Sequence, residues 1–270
     1  MGSFRKLLII GCGNMGGAML DGWLAGGEDP ARFSVLDPAI ESVADGVPLH
    51  RKPPAESDHD CVLLGFKPQQ LSALAPGLQG LARPDVTVFS LLAGIELAAL
   101  AKSFPDAAAH VRVMPNLAAR IGKSPVILAE SGLDASAREA AISLFCKLGT
   151  ALWLDDETQF NLVTALAGSG PGFVYRFIDA LGSAAVELGL APEIAAKLAM
   201  STVEGAAALA AQSDLSPAQL ADRVASPGGM TREGLNVLDA GNTLKSLLIE
   251  TLHATADKGE ELGQAAAKQS

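Results

Sequence analysis

The strongest constraint on this chain is the passage from Leu7-Leu8-Ile9-Ile10 into Gly11-Cys12-Gly13-Asn14-Met15-Gly16 and on into a helical pattern over Asn14–Ala25. An apolar run stopped by glycine and followed at once by a helix is a strand–turn–helix unit. In Gly11-x-Gly13-x-x-Gly16 the three glycines serve a tight turn, a close backbone approach to a ligand, and helix–strand packing. A helix N-terminus there presents N–H donors and a partial positive charge. The segment therefore predicts a pyrophosphate cradle built from Gly11, Gly13, Asn14, Met15 and Gly16. The plainer alternative is a glycine turn with no ligand.

The same grammar repeats along the first half. Phe33–Leu36 reads as a second strand ended by Asp37-Pro38, then Cys61–Phe66, Val86–Leu92, Val111–Met114, Val126–Leu128 and Ala151–Leu154. Asp134–Lys147 reads as a helix capped by its Asp. Short continuous apolar runs between helical stretches predict a doubly wound, Rossmann-type parallel sheet buried on both faces. This α/β domain is expected over 1–155. Past Asp155-Asp156 the pattern turns helical, with helices expected at 157–166, 171–188, 192–211, 216–225, 231–240 and 243–266. Several are alanine-rich on more than one face, as in helices buried all round. A domain of about 115 residues (156–270) cannot bury six such helices alone, so it is expected to pack against a second copy of the chain.

Charge narrows the partners. Twenty Lys and Arg against thirty Asp and Glu leave a net charge of −10, and no basic stripe is present, so nucleic acid and anionic membrane are not expected partners. Any anionic ligand must be caught by local backbone dipoles. Cys12, Cys61 and Cys146 are far apart and form no CxxC, and the histidines are scattered, so no metal is expected and the cysteines suit a reducing compartment. The N-terminus carries neither a signal-peptide core nor a myristoylation pattern, and no stretch reads as able to span a membrane. A cytoplasmic location is the expectation.

In a doubly wound sheet the strand ends gather around the nucleotide. Asp37 either accepts bonds from the adenosine ribose hydroxyls, which favours NADH over NADPH, or caps its own turn. Arg51 and Lys52 lie too far along to form an obvious 2′-phosphate clamp. Lys67 and Pro68 close the third strand, where Lys67 either touches the cofactor or is a solvated strand-end lysine. Ala93-Gly94 ends the fourth strand. Asn116, after Met114-Pro115, either meets the nicotinamide carboxamide or merely sits in a turn.

The hydride acceptor is constrained by what is missing. Reduction of a ketone calls for a proton donor, yet Tyr175 has no lysine four residues on, and no lysine follows Gly168–Gly172 until Lys197. A protonated imine needs no such donor. Ser226-Pro227-Gly228-Gly229-Met230-Thr231 between two helices suits a concave backbone that holds one carboxylate, or else an ordinary interhelical turn with Thr231 as N-cap.

Taken together, Gly11–Gly16, Phe66-Lys67-Pro68, Val113–Asn116, Ala165–Pro171 and above all Val224–Thr231 resemble pyrroline-5-carboxylate reductase in order and spacing, from end to end of the chain. The resemblance implies a Rossmann domain, a helical domain interlocked with its twin, and reduction of the imine carboxylate 1-pyrroline-5-carboxylate to L-proline with NADPH or NADH. It implies a homodimer and, in some members, a decamer built of dimers, with two subunits jointly enclosing the substrate. By the same resemblance, Ser226, Gly228, Gly229 and Met230 hold the substrate carboxylate, Thr231 meets the ring nitrogen, and Gly168–Pro171 form a hinge. Gly172, Phe173 and Leu117-Ala118 depart from the family's usual Ala, Tyr and Thr-Pro. A reductase of another cyclic imine, a 3-hydroxyacid-type dehydrogenase and a non-catalytic dinucleotide binder are the rival readings.

Overall fold

The computed structural model describes residues 4–54 and 57–267, the last three by backbone alone. Met1–Ser3, read above for leader and lipid signals, lie outside the described residues. Two compact units are present, Met1–Gly168 with Thr255–Ser270, and Ser169–Ala254.

The first unit is built on one eight-stranded sheet: β1 (Leu7–Ile10), β2 (Phe33–Leu36), β3 (Leu49–His50), β4 (Cys61–Leu64), β5 (Thr87–Ser90), β6 (Ala109–Met114), β7 (Ser124–Ser131) and β8 (Gly149–Trp153). Their spatial order is β3-β2-β1-β4-β5-β6-β7-β8, so the strand order reverses between β1 and β4. Side chains alternate along each strand, and both faces are covered. Leu7 and Ile9 join Trp23, Phe33, Phe89 and Phe145 on one side, while Leu8 and Ile10 join Val62, Leu64, Leu100 and Phe104 on the other. The first side is closed by α1 (Asn14–Ala25) and α4 (Ala135–Phe145), the second by α2 (Leu71–Leu78) and α3 (Leu97–Ser103). Burial on both faces is why the strands read as unbroken apolar runs. Trp23 stacks on Phe33 at 5.3 Å, and its indole N–H donates to the Leu144 carbonyl at 2.9 Å. Asp134 caps α4 through the Ala137 amide, as its position predicts.

Two features depart from the sequence reading. The sheet is parallel throughout except at β6 and β7, which run antiparallel with Met114 opposite Ile127. The short connection between them, a 3-10 turn over Leu117–Ile121 ended by Gly122 in the left-handed region, leaves no room for a crossover helix. The second is β3, two residues long and unforeseen, because two residues carry no periodicity.

The second unit is helical: α6 (Gly170–Glu187), α7 (Pro192–Ala211), α8 (Pro217–Val224), α9 (Met230–Asp239) and the first part of α10 (Thr243–Ala267). The first unit ends in α5 (Phe160–Val163) and a π-helical turn over Thr164–Gly168. Helices α6 and α7 approach closely through small side chains, Gly182 against Ala195 and Ala199. Little else in α6 and α7 is buried. Tyr175, Phe177, Leu188, Leu209, Val237 and Leu247 are each at least half exposed, so the unit carries far more apolar surface than it covers within itself. One expectation needs correction: α7 is long and apolar enough, by length and composition, to cross a membrane. Its charges, Glu193, Lys197 and Glu204, are few against its alanines and leucines, and a surface meant for another apolar surface passes the same test.

Candidate active site

The turn after β1 is shaped by backbone approach. Gly11 has φ +86°, and a Cβ on it would lie 2.7 Å from the Phe66 nitrogen. Gly65, at the end of β4, faces it from the neighbouring strand; a Cβ there would lie 2.4 Å from the Gly11 carbonyl oxygen. The Gly11 amide donates to Leu36 of β2, and the Gly65 amide to Ile10. The glycine loop is thus wedged between β2 and β4, at the point where the strand order reverses. Gly65 is a site-shaping residue that sequence reading passed over; a glycine closing a buried strand is its signal.

Gly13 is the N-cap of α1 and faces open space, with no atom within 4 Å of where its Cβ would be. No side chain caps this helix and no acid stands in its first turn. Among the described residues its first N–H groups therefore have no partner, as a pyrophosphate requires. Asn14 is exposed, Met15 half-buried and Gly16 buried against the Gly11 carbonyl. The loop fits a dinucleotide phosphate.

Asp37 follows β2 and is buried. Its Oδ2 accepts from the Cys12 amide at 2.8 Å, inside the glycine loop. Its Oδ1 accepts from the amides of Ala39 (2.8 Å) and Ile40 (3.2 Å). Burial opposes the charge, but these three N–H bonds and nearby Arg51 outweigh it and hold the carboxyl below its usual range. Asp37 thus caps its own turn with one oxygen and ties that turn to the glycine loop with the other. The Cys12 thiol is pushed up to about 11 by burial and by the Asp37 and Asp21 charges.

The other strand ends show which of their groups are open. Lys67 is exposed and makes no ion pair among the described residues; Pro68 opens a 3-10 turn. Ala93 is exposed, and Gly94 lies against Gly263 of α10. Asn116 is buried and engaged at both ends: Nδ2 donates to the Ala167 carbonyl at 2.9 Å, and Oδ1 accepts from the Ala118 amide at 2.9 Å. Those bonds describe a turn residue that also anchors the π-helical turn.

In the second unit, Ser226–Gly229 closes a tight turn, the Gly229 amide donating to the Ser226 carbonyl at 2.9 Å. Gly228 has φ +71°, and a Cβ on Gly229 would lie 2.5 Å from the Ser226 hydroxyl. The N-cap of α9 is Gly229 and not Thr231, and no side chain caps the helix. The amides of Met230, Thr231 and Arg232 have no backbone acceptor among the described residues. Ser226, Gly228, Met230 and Thr231 are exposed, Met230 at 93%. Behind the loop, the Arg232 guanidinium donates to Asp222, its ion-pair partner, at 2.7 Å and to the Ala225 carbonyl at 3.4 Å, which braces the turn.

Residues 157–262 match the family model described as pyrroline-5-carboxylate reductase dimerisation. The chain is 34% identical to the pyrroline-5-carboxylate reductase of Pseudomonas aeruginosa, over 97% of its own length and 98% of the relative's. It belongs to the pyrroline-5-carboxylate reductase family. Among solved structures, the reductase of Coxiella burnetii superposes with a TM-score of 0.87 at 30% identity, covering 96% of this chain and 99% of that one. The Plasmodium falciparum pyrroline carboxylate reductase, solved with NADP bound, gives 0.83 at 24% identity, covering 97% and 100%, a likeness of fold. Each of the two loops, Gly11–Gly16 and Ser226–Thr231, leads into a helix whose N-cap is a glycine and which no side chain of the described residues caps.

Proposed function

We propose that this member of the family reduces 1-pyrroline-5-carboxylate to L-proline, the last step of proline synthesis, with NADPH or NADH as reductant. The reading is carried by one observation: two uncapped helix N-termini, each preceded by a glycine turn, in a chain of this family. The first, with Gly11, Gly13, Asn14, Met15 and Gly16, takes the dinucleotide phosphates, with Asp37, Lys67, Pro68, Ala93, Gly94 and Asn116 around the nucleotide. The second, Ser226, Gly228, Gly229 and Met230, takes the substrate carboxylate through amide donors. When bound, the reduced nicotinamide supplies a hydride. The protein's task at the imine is positioning, since a protonated C=N already carries its charge and its proton. The open Thr231 hydroxyl is the group that meets the ring nitrogen. Residues 1–155 form the cofactor domain and 156–270 the substrate and dimerisation domain. The exposed apolar faces of α6, α7 and α10 are closed by a second copy, and the homodimers assemble further into a decamer, in the cytoplasm.

The test follows absorbance loss of reduced nicotinamide with 1-pyrroline-5-carboxylate and each cofactor, and with the six-membered homologue as competitor. Turnover confined to the six-membered ring, or to neither, sinks the reading. Thr231→Ala lowers turnover at least tenfold and leaves cofactor affinity within about twofold. Unchanged kinetics would remove Thr231 from the mechanism. Light scattering at micromolar concentration shows no monomer.

A further inference from the structure

We propose that Arg51 is the specificity-determining residue for the 2′ position of the cofactor's adenosine ribose, and that it makes the enzyme accept a 2′-phosphate despite Asp37. The inference rests on reading Gly11–Gly16 as the dinucleotide cradle.

In sequence Arg51 is remote from Asp37. The fold removes that distance. Strand β3 pairs parallel with β2, with His50 in register with Leu36. The next residue after each strand is therefore Arg51 beside Asp37, at the same end of the sheet as the glycine loop. The guanidinium lies along the turn that follows β2: Nη1 donates to the carbonyls of Asp37 (3.1 Å) and Ile40, and Nη2 to that of Glu41 (3.1 Å). A guanidinium has five N–H groups. Three are spent on these carbonyls; Nε and one hydrogen of Nη2 have no partner among the described residues. Arg51 is exposed, so the remaining donors and the charge are open to a ligand.

Asp37 is placed the opposite way. A carboxylate has about four acceptor positions, and three are taken by the amides of Cys12, Ala39 and Ile40. The group is 7% exposed. Its charge is spread over three backbone dipoles and faces inward. An acid at the end of β2 ordinarily excludes a 2′-phosphate by repulsion and receives the ribose hydroxyls. Here the acid is mostly satisfied, and the exposed charges at the same corner are two cations, Arg51 and Lys52, against one acid, Glu41. Guanidinium and phosphate pair through charge-assisted bonds that need this combination of charge and open N–H groups. The mild preference for NADH expected from Asp37 alone is thereby offset.

The test is calorimetric binding to the full-length protein, with adenosine 2′,5′-bisphosphate against 5′-AMP and NADP+ against NAD+. Wild-type protein binds each 2′-phosphorylated ligand more tightly than its counterpart, by a margin that shrinks as salt rises. Arg51→Ala weakens the 2′-phosphorylated ligands about tenfold or more and leaves 5′-AMP and NAD+ within about twofold. Because Arg51 also braces the turn, Arg51→Gln is measured beside it. That variant keeps amide donors for the carbonyls without the charge, and the same selective loss is expected. Equal weakening of both ligand classes in both variants would assign Arg51 a bracing role only and overturn the proposal. No weakening in either would do the same. Wild-type protein that binds none of the four ligands would overturn the cradle itself.

Discussion

Gly65→Ala isolates the contact on which the cofactor cradle depends. Gly65 is not in the left-handed region, so the expected effect of alanine there is mainly steric. Its Cβ would sit 2.4 Å from the Gly11 carbonyl oxygen, about an ångström inside ordinary contact. The obstacle is backbone just past the ends of the paired strands β1 and β4, and it cannot rotate away as a side chain could. The loops after β1 and β4 must part, and overpacking of this kind costs about 1–3 kcal/mol. At about 2–4 °C per kcal/mol for a chain of this size, the melting temperature falls by roughly 2–12 °C. The Gly11 carbonyl moves with the glycine loop it belongs to. A misplacement of about an ångström in a binding constellation costs up to a hundredfold, so the Kd for NAD+ rises tenfold or more. Gly77→Ala is the matched control. It adds the same methyl group inside α2, where no atom lies within 4 Å, and helix propensity favours alanine there by about 0.5–1 kcal/mol. Thermal melts by circular dichroism and calorimetric titration of NAD+ measure both variants. A Gly65→Ala protein that melts within 1 °C of wild type and binds NAD+ equally well would show that β1 and β4 do not meet as described.

Two further outcomes follow from buried charge and buried thiols. Glu157 pairs with the buried Arg112 at 2.8 Å and also accepts from the Leu97 amide at 2.8 Å, while Arg112 covers the Phe160 ring at 3.9 Å. Glu157→Ala strands a buried guanidinium and an amide together, at a cost on the order of 3 kcal/mol in urea unfolding; a loss under about 0.5 kcal/mol would mean that Arg112 reaches water. With the Cys12 thiol at about 11 and Cys61 fully buried, only about one Cys12 in a thousand is thiolate at pH 8. Iodoacetamide on native protein at that pH then labels the exposed Cys146 alone, and all three cysteines after denaturation. Mass spectrometry that finds native Cys12 labelled as fast as Cys146 refutes the burial.

Much of this protein is legible residue by residue. Strands buried on both faces announce themselves as continuous apolar runs, which is why β1, β2 and β4 need no tertiary information. Helix α1 begins at Asn14 and ends at Ala25, where the glycines on either side place it. Helices α6, α7 and α8 follow from proline at their starts and glycine or polar breaks at their ends. The glycine loop and the Ser226–Thr231 turn are local features as well, since a few consecutive φ angles and missing side chains define them. Local information also tells against an uncovered helical domain, because six helices, several of them alanine-rich, outrun the surface they bury among themselves.

What depends on distance in sequence was settled only when the chain closed. The antiparallel return of β7 is a matter of loop length acting on sheet topology. Asp37 reads in sequence as ribose acceptor or turn cap, and only the fold shows that Oδ1 takes two donors from its own turn and Oδ2 one from the loop after β1. Gly65 and Arg51 carry no signal strong enough to single them out alone; each matters for what a neighbouring strand brings beside it. Sequence determines where backbone can bend and which faces must be buried, since those are properties of consecutive residues. The tertiary structure decides which charges and carbonyls meet, because hydrogen bonds and steric contacts act over a few ångströms of space and take no account of separation along the chain.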